Sequence, residues 1–442
     1  MNNGLQLQVD LSKFKRRLER SNVFKMIGRV IRINGLMIES IGPAASIGDV
    51  CLIYDKEKKN HSKAEVVGFN KNKFFLMLYS DMDGISPGCE IVLAGRSLKI
   101  PVGESLKGRI LNGLGEPLDG KGSINEAESY PIHRDPPKAL NRTPIKDQFK
   151  VGVKAIDGCL AIGKGQRVGV FSGSGVGKSI MLGMMAKGSE SDVNVIALIG
   201  ERGREVREFI ENVLGEEGLK KSIVVVVTSD QSPLMRIKGA YTATAIAEYF
   251  RDQGNDVLFM MDSVTRFAMA GREIGLSLGE PPTSKGYTPS VFSMLPKLIE
   301  RTGMGKKGSI TAFYSVLVDA DDFNEPISDA CRSILDGHII LSRKIAAQNH
   351  YPSIDILDSV SRLSDTVANP ELLDIAKKIK ELKAVFENAS DLINIGAYVK
   401  GSNPKIDESI EKIDVMNSFL KQDMHEICPF DITQKQMKSI FG

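Results

Sequence analysis

Long apolar runs are missing from this 442-residue sequence. Stretches such as Val257 to Met261 fall far short of the ~20 residues a membrane-crossing helix requires. The opening, Met1 to Asp10, lacks the basic-then-apolar layout of a secretory signal. A soluble chain kept in the cytoplasm is therefore expected. Charge of one sign is missing as well: 58 Lys and Arg stand against 55 Asp and Glu. That balance gives no support to a protein that coats nucleic acid or a membrane. Cysteine is sparse, and Cys51, Cys89, Cys159, Cys331 and Cys428 are odd in number and far apart. None stands at metal-ligand spacing, and His61, His133, His338, His350 and His425 form no HxxxH or Cys-His cluster. Buried reduced thiols are expected, and no structural zinc.

What is present is ordinary globular composition, 42% hydrophobic and 26% charged, in a chain long enough for two or three domains. Four zones are readable. Residues 1–24 contain a short basic amphipathic helix over Asp10–Arg20, with Leu7, Leu11, Phe14 and Leu18 at helical spacing. It reads either as a solvated helix on its own domain or as a partner-docking segment. Residues 25–95 change to strand period. Gly28 to Ile33 runs through Asn34-Gly35 into Leu36 to Ile38, a hairpin signal, and Ala64–Phe69 pairs with Lys73–Tyr79 across Asn70-Lys71-Asn72. Closely spaced turns then predict a small antiparallel barrel. Its aromatics, Phe69, Phe74 and Phe75, read as core and not as a stacking platform for single-stranded nucleic acid.

Residues 96–370 alternate apolar strands with helices. Strands are expected at Arg167–Phe171, Val195–Ile199, Ile223–Val227, Val257–Met261, Ile310–Val318 and His338–Leu341. The pattern predicts an α/β core with a mainly parallel sheet covered on both faces. Residues 371–442 read as a helical domain, with helices over Leu372–Ala384, Glu408–Leu420 and near Gln434–Ile440.

The chemistry begins at Ser172-Gly173-Ser174-Gly175-Val176-Gly177-Lys178-Ser179, between a strand and a helix. Such a loop turns backbone N–H groups around phosphates and adds the positive end of the following helix. Lys178 would reach the β/γ oxygens and Ser179 would ligate Mg²⁺. Ser172 holds the place where the strict pattern has glycine, and a side chain that small should fit. Asp262, closing the strand from Val257, would hold the magnesium shell through water; taken alone, it also fits a helix N-cap. Hydrolysis further needs a group to orient or deprotonate water. Glu201, in Gly200-Glu201-Arg202-Gly203-Arg204-Glu205, stands beyond a strand end where ligands of such folds bind, with Arg202 as its expected ionic neighbour. Charge pattern alone reads there as a solvated helix face; the strand end is what points to a catalytic base.

The string from Gln166 through Val206 resembles the catalytic subunits of rotary ATPases. Gly279 through Phe292, on to Glu300-Arg301, is similar more narrowly to the ATPases of flagellar type III protein export. So are Asp321–Asp329 and Ile334–Ile339, and the resemblance spans about Gly28 to Pro404. It implies ATP as substrate, Mg²⁺ as cofactor, and a homohexameric ring. It also implies that Arg362 completes the site of the neighbouring subunit, and that Tyr351 stacks on adenine; without it, Tyr351 reads as a core tyrosine. Where rotary relatives add phenylalanines, the corresponding stretch here is Ile393 to Val399, which implies a thinner aromatic platform. Further implied are a stator-like regulator at the N-terminus, a central stalk protein and chaperone–substrate complexes at the C-terminal helices, and a place at the export gate on the cytoplasmic face of the inner membrane. No nucleic acid is implied. The acidic motif that rotary subunits present to their shaft is not visible, which favours export over ATP synthesis. The alternatives are the ATPase of a virulence-type apparatus, a rotary subunit, an RNA translocase, or a nucleotide-binding scaffold without turnover.

Overall fold

The computed structural model describes residues 26–95, 97–124, 128–318 and 325–441. The amphipathic helix expected over Asp10–Arg20 lies outside them. The chain divides into two compact units, one ending at Arg96 and one beginning at Ser97.

The first unit is a closed antiparallel barrel of β1 (Ile27–Asn34), β2 (Met37–Ile41), β3 (Val50–Tyr54), β4 (His61–Asn70), β5 (Lys73–Leu78) and β6 (Glu90–Gly95), in the order β1-β2-β5-β4-β3-β6. Inward positions fill it with Val30, Ile38, Cys51, Ile53, Val66, Leu76 and Ile91. Both expected hairpins are present, the first shifted by one residue. Asn34 pairs with Met37, so Gly35 and Leu36 form the turn. Gly35 takes φ +57° at the first turn position, where a two-residue hairpin favours glycine; Asn34 is left to close the strand.

In the second unit β7 (Lys99–Val102) pairs with β9 (Glu128–Pro131), while β8 (Ile110–Leu111) joins the main sheet. That sheet runs β17-β16-β10-β15-β13-β11-β12-β8, from β10 (Arg167–Ser172), β11 (Val193–Glu201), β12 (Ser222–Thr228), β13 (Asp256–Asp262), β15 (Ser309–Leu317), β16 (Gly337–Leu341) and β17 (Ile354–Ser361); β14 (Gly303–Met304) pairs with β15. All six expected strands are there. Central ones such as β12, Ser222-Ile-Val-Val-Val-Val, are buried on both faces, as a parallel sheet between helices requires. Sequence reading missed β17, an antiparallel edge strand whose burial alternates and so lacks a continuous apolar run.

The helices used below are α1 (Lys154–Cys159), α2 (Lys178–Gly188), α3 (Gly203–Glu208), α4 (Pro233–Gln253), α5 (Val264–Ser277), α6 (Pro289–Ile299), α7 (Pro326–Ile334), α8 (Arg343–Ala347), α9 (Pro370–Asn394), α10 (Pro404–Leu420) and α11 (Phe430–Ser439). The last three occupy the expected helical zone and share one core with the sheet: Val168, Met185, Ile379, Phe419 and Met437 belong to a single buried cluster. α1 is the seam. A Cβ on Gly158 would fall 3.0 Å from the Phe419 ring and 3.2 Å from Met437 Sδ. The change of pattern near 370 therefore lies inside one compact unit. A second anchor is the buried pair Arg301–Glu248, joined by two hydrogen bonds of 3.0 and 2.6 Å, with Arg301 Nη1 also donating to the Ile132 carbonyl. All five cysteines are buried and free, and no described helix is long and apolar enough to cross a membrane.

Candidate active site

Four strands of the sheet end side by side: β10 at Ser172, β15 at Leu317, β13 at Asp262 and β11 at Glu201. Beyond β10 the chain turns through Gly173 to Gly177 and enters α2 at Lys178. Gly175 and Gly177 hold φ +79° and +86°, backbone that other residues adopt at a cost, so the loop can wrap inward. Gly173 lies close under a side chain instead: a Cβ there would lie 2.6 Å from the Arg343 guanidinium at the start of α8, which would have to move aside. Ser172, in the usual glycine place, is buried.

Loop and strand ends enclose a cavity of about 410 Å³ lined by Gly173, Ser174, Lys178, Ser179, Glu201, Arg202, Glu205 and Arg266 among others. Lys178 Nζ, on its wall, donates to Asp262 Oδ1 at 2.6 Å. Glu201 is half-buried, and its carboxyl is pushed up to about 7, first by burial, then by the Asp262 charge; Lys178 opposes the shift and a hydrogen bond with Glu205 adds to it. The cation facing Glu201 is thus Lys178. Arg202, expected in that place, points its exposed guanidinium to Glu205 at 3.6 Å, because it caps α3 with extended backbone and leaves the strand line.

Arg266 was missed. It sits four residues after Asp262 in the first turn of α5, packs its stem against Gly200, and its Nε is buried with no hydrogen-bond partner. Helical spacing back toward a strand-end aspartate is the signal that could have found it.

Next to the first cavity, sharing Gly175, Gly177 and Ile180, lies a second, of about 340 Å³ and mainly apolar. Its walls are Ile180, Met181 and Met184 of α2, Tyr351-Pro352, and Gln422-Asp423-Met424. Tyr351 packs against the loop: a Cβ on Gly177 would meet its ring at 3.3 Å. The C-terminal wall is not the stretch Ile393 to Val399. That stretch links α9 to α10 and leaves Ile395 76% and Val399 70% exposed, whereas the chain returns to α2 only after α10, at Gln422.

Arg362 lies at the opposite edge of the sheet. Ser172 is level with Leu341, Leu341 pairs with Ile354, and the antiparallel β17 then runs back until Ser361 pairs with Gly337. Four residues of strand separate the two edges, roughly 13 Å. Arg362 is exposed there, donating to the Arg332 carbonyl at 3.2 Å, and does not line the phosphate-loop cavity of its own chain.

With this geometry in view, comparison with known proteins is direct. Residues 152–361 match the nucleotide-binding domain of the ATP synthase alpha/beta family, residues 30–95 its beta-barrel domain, and residues 368–439 the C-terminal domain of the type III secretion ATPase EscN. The chain is 55% identical to the flagellum-specific ATP synthase of Bacillus subtilis, over 96% of this chain and 97% of that one. The chain belongs to the type III export branch of the ATP synthase alpha/beta family. It is also 46% identical to the type 3 secretion system ATPase of Xanthomonas euvesicatoria, over 96% of each chain. The solved structure of assembled EscN from enteropathogenic E. coli superposes with a TM-score of 0.89 at 43% identity, covering 94% of this chain and 100% of that one. EscN bound to its central stalk EscO matches with a TM-score of 0.87, at the same identity and coverage. The three-part export-ATPase architecture expected from the sequence is the one found.

Proposed function

We propose that the chain is a Mg²⁺-dependent ATP hydrolase that energises export of flagellar proteins. The observation that carries the chemistry is the placing of Glu201 and the Lys178–Asp262 pair at neighbouring strand ends beside a glycine loop. The loop amides and the α2 amino end favour phosphate, and Lys178 exchanges Asp262 for the β/γ oxygens when nucleotide enters. The orphan Arg266 Nε is the donor that an incoming phosphate oxygen satisfies. Ser179 and Asp262 offer the oxygens that Mg²⁺ prefers. No group of three His, Cys, Asp or Glu among the described residues could hold a metal by itself, in keeping with an ion bound partly through substrate phosphates. When bound, Mg²⁺ supplies neutralisation of phosphate charge.

Glu201 orients the attacking water and takes its proton, and its raised affinity for protons brings it near neutral pH, where a general base works best. Adenine occupies the apolar cavity against Tyr351. Arg362 serves the next subunit of a homohexamer: it lies too far from its own phosphate loop, and an arginine so supplied is worth ~10³–10⁵ in rate. A central stalk protein meeting the C-terminal helices is supported by the EscN–EscO likeness. A stator-like regulator at the N-terminus, the export gate and chaperone–substrate complexes complete the partners, at the cytoplasmic face of the inner membrane. The flagellar reading rests on the 55% identity to a flagellar relative, against 46% to a secretion-system one.

The test is steady-state ATP hydrolysis by the purified chain over a wide range of protein concentration. Activity per chain should rise with concentration and vanish in Glu201→Gln. A flat, assembly-independent rate would contradict the shared site, and full activity in Glu201→Gln would remove the base.

A further inference from the structure

Gln422 stands just past α10 and is 5% exposed. Its side chain makes three hydrogen bonds, two to the distant 152–154 segment and one within its own turn. Oε1 accepts from the Lys154 amide at 2.8 Å, capping the amino end of α1. Nε2 donates to the Gly152 carbonyl at 2.8 Å and to the Glu426 carbonyl at 2.9 Å. Its backbone N–H donates to the Tyr351 carbonyl at 2.9 Å.

Those partners lead to the other two walls of the apolar cavity. Tyr351 is one wall itself. Gly152 belongs to the segment packed backbone to backbone on the end of α2, where a Cβ on Gly188 would fall 2.7 Å from the Val151 carbonyl. α2 supplies Ile180, Met181 and Met184, and Gln422 begins the third wall, Gln422-Asp423-Met424. The side-chain amide therefore ties the 422–426 turn to the 152–154 segment that packs on α2, while the backbone N–H of the same residue ties that turn to Tyr351. None of its bonding partners lines the phosphate cavity.

We propose that Gln422 is the positioning residue of the nucleobase site: its amide holds the 422–424 wall at the distance from Tyr351 and α2 that lets a purine be gripped. This rests on the reading of the apolar cavity as the base site. The amide is needed in both senses. Without it the Lys154 N–H loses its buried partner, the Glu426 carbonyl loses the amide, and the Gly152 carbonyl keeps only the longer 3.4 Å bond from the Cys428 N–H, so the segment moves to recover those bonds. Glu has no donor for the two carbonyls, and Met fills the volume with neither donor nor acceptor.

The experiment uses the full chain with Gln422→Ala, Gln422→Met and Tyr351→Ala. It measures KM and kcat for ATP, together with the inhibition constant of inorganic tripolyphosphate with Mg²⁺, a probe that has the phosphates and lacks the base. Both Gln422 variants should raise KM about tenfold, with kcat falling less than about twofold and tripolyphosphate inhibition held at its wild-type value. If Gln422→Ala fails to fold, the near-isosteric Gln422→Met carries the test. A Gln422→Met enzyme that matches wild type would overturn the proposal, because filling would then suffice. Tripolyphosphate inhibition weakening in step with KM would also overturn it, as a general loosening of the site. If Tyr351→Ala raises KM and the Gln422 variants do not, the base site stands and Gln422 falls. If no variant raises KM, the base-site reading falls with it.

Discussion

The two adjoining cavities at the start of α2 are built in opposite ways. The phosphate cavity is polar, and its key side chains come from strand ends and the loop that follows one of them. The base cavity is apolar, and its walls are brought together from α2, the Tyr351 segment and the chain beyond α10. The first is held by local backbone geometry and the parallel sheet. The second depends on distant segments meeting, with one buried amide between them. On the proposed reading, charge development in the transition state belongs to the first cavity and uniform binding to the second. Damage to the two should therefore appear in different kinetic constants.

Arg362→Ala should cause the largest loss, ~10³–10⁵ in kcat, with nucleotide binding retained, because the arginine is offered to a neighbour's phosphoryl group. Equilibrium binding of a fluorescent nucleotide beside turnover checks this. Loss of binding along with rate would place Arg362 in its own chain's site after all. Glu201→Gln should follow, with kcat down by ~10²–10⁴ and KM little changed. Tyr351→Ala should cost roughly tenfold in KM, in the range expected for one stacked base, and little in kcat.

The smallest effect is one of pH. Glu201 has its folded-state pKa raised from 4.5 to about 7, so between those values the native chain binds a proton that the unfolded chain has released. Stability from this group is therefore present below about pH 4.5 and is lost as pH rises through about 7. Glu201→Gln should melt progressively higher than wild type as pH rises from 4.5 to about 7 and by a constant margin above that, while kcat/KM of wild type should rise through about pH 7 as the base ionises. A melting difference that does not change with pH would show that Glu201 is not held in a desolvated place.

The same contrast explains what was legible in the sequence. Lys178, Asp262 and Glu201 could be read because each follows a buried apolar strand, and a parallel sheet aligns such ends without further information. Arg266 lay one helical turn from Asp262 and was within reach of the same reasoning. Arg202 was misread as the partner of Glu201 because adjacency in sequence is not adjacency once a helix begins. Arg343 against Gly173, and Gln422 against Lys154, have no local signal at all; only the closed fold brings residues 268 apart into one hydrogen bond. The correspondence of Ile393 to Val399 with the phenylalanines of rotary relatives has the same weakness: it rests on matching sequences, whereas the return of the chain after α10 puts Gln422 to Met424 at the cavity. In the barrel, the Gly35 backbone set the turn one residue later than the Asn34-Gly35 signal implied.

The central claim is that each working site is shared, with the phosphate loop and Glu201 from one copy and Arg362 from the next. Co-expression of Lys178→Ala with Arg362→Ala chains tests it most directly, since each alone should be inactive. Mixed rings contain junctions where an intact Lys178 faces an intact Arg362, so purified mixed assemblies should recover a clear fraction of wild-type ATP hydrolysis. Mixed assemblies as inactive as either parent would mean that Lys178 and Arg362 must lie in the same chain, and the shared site would be wrong.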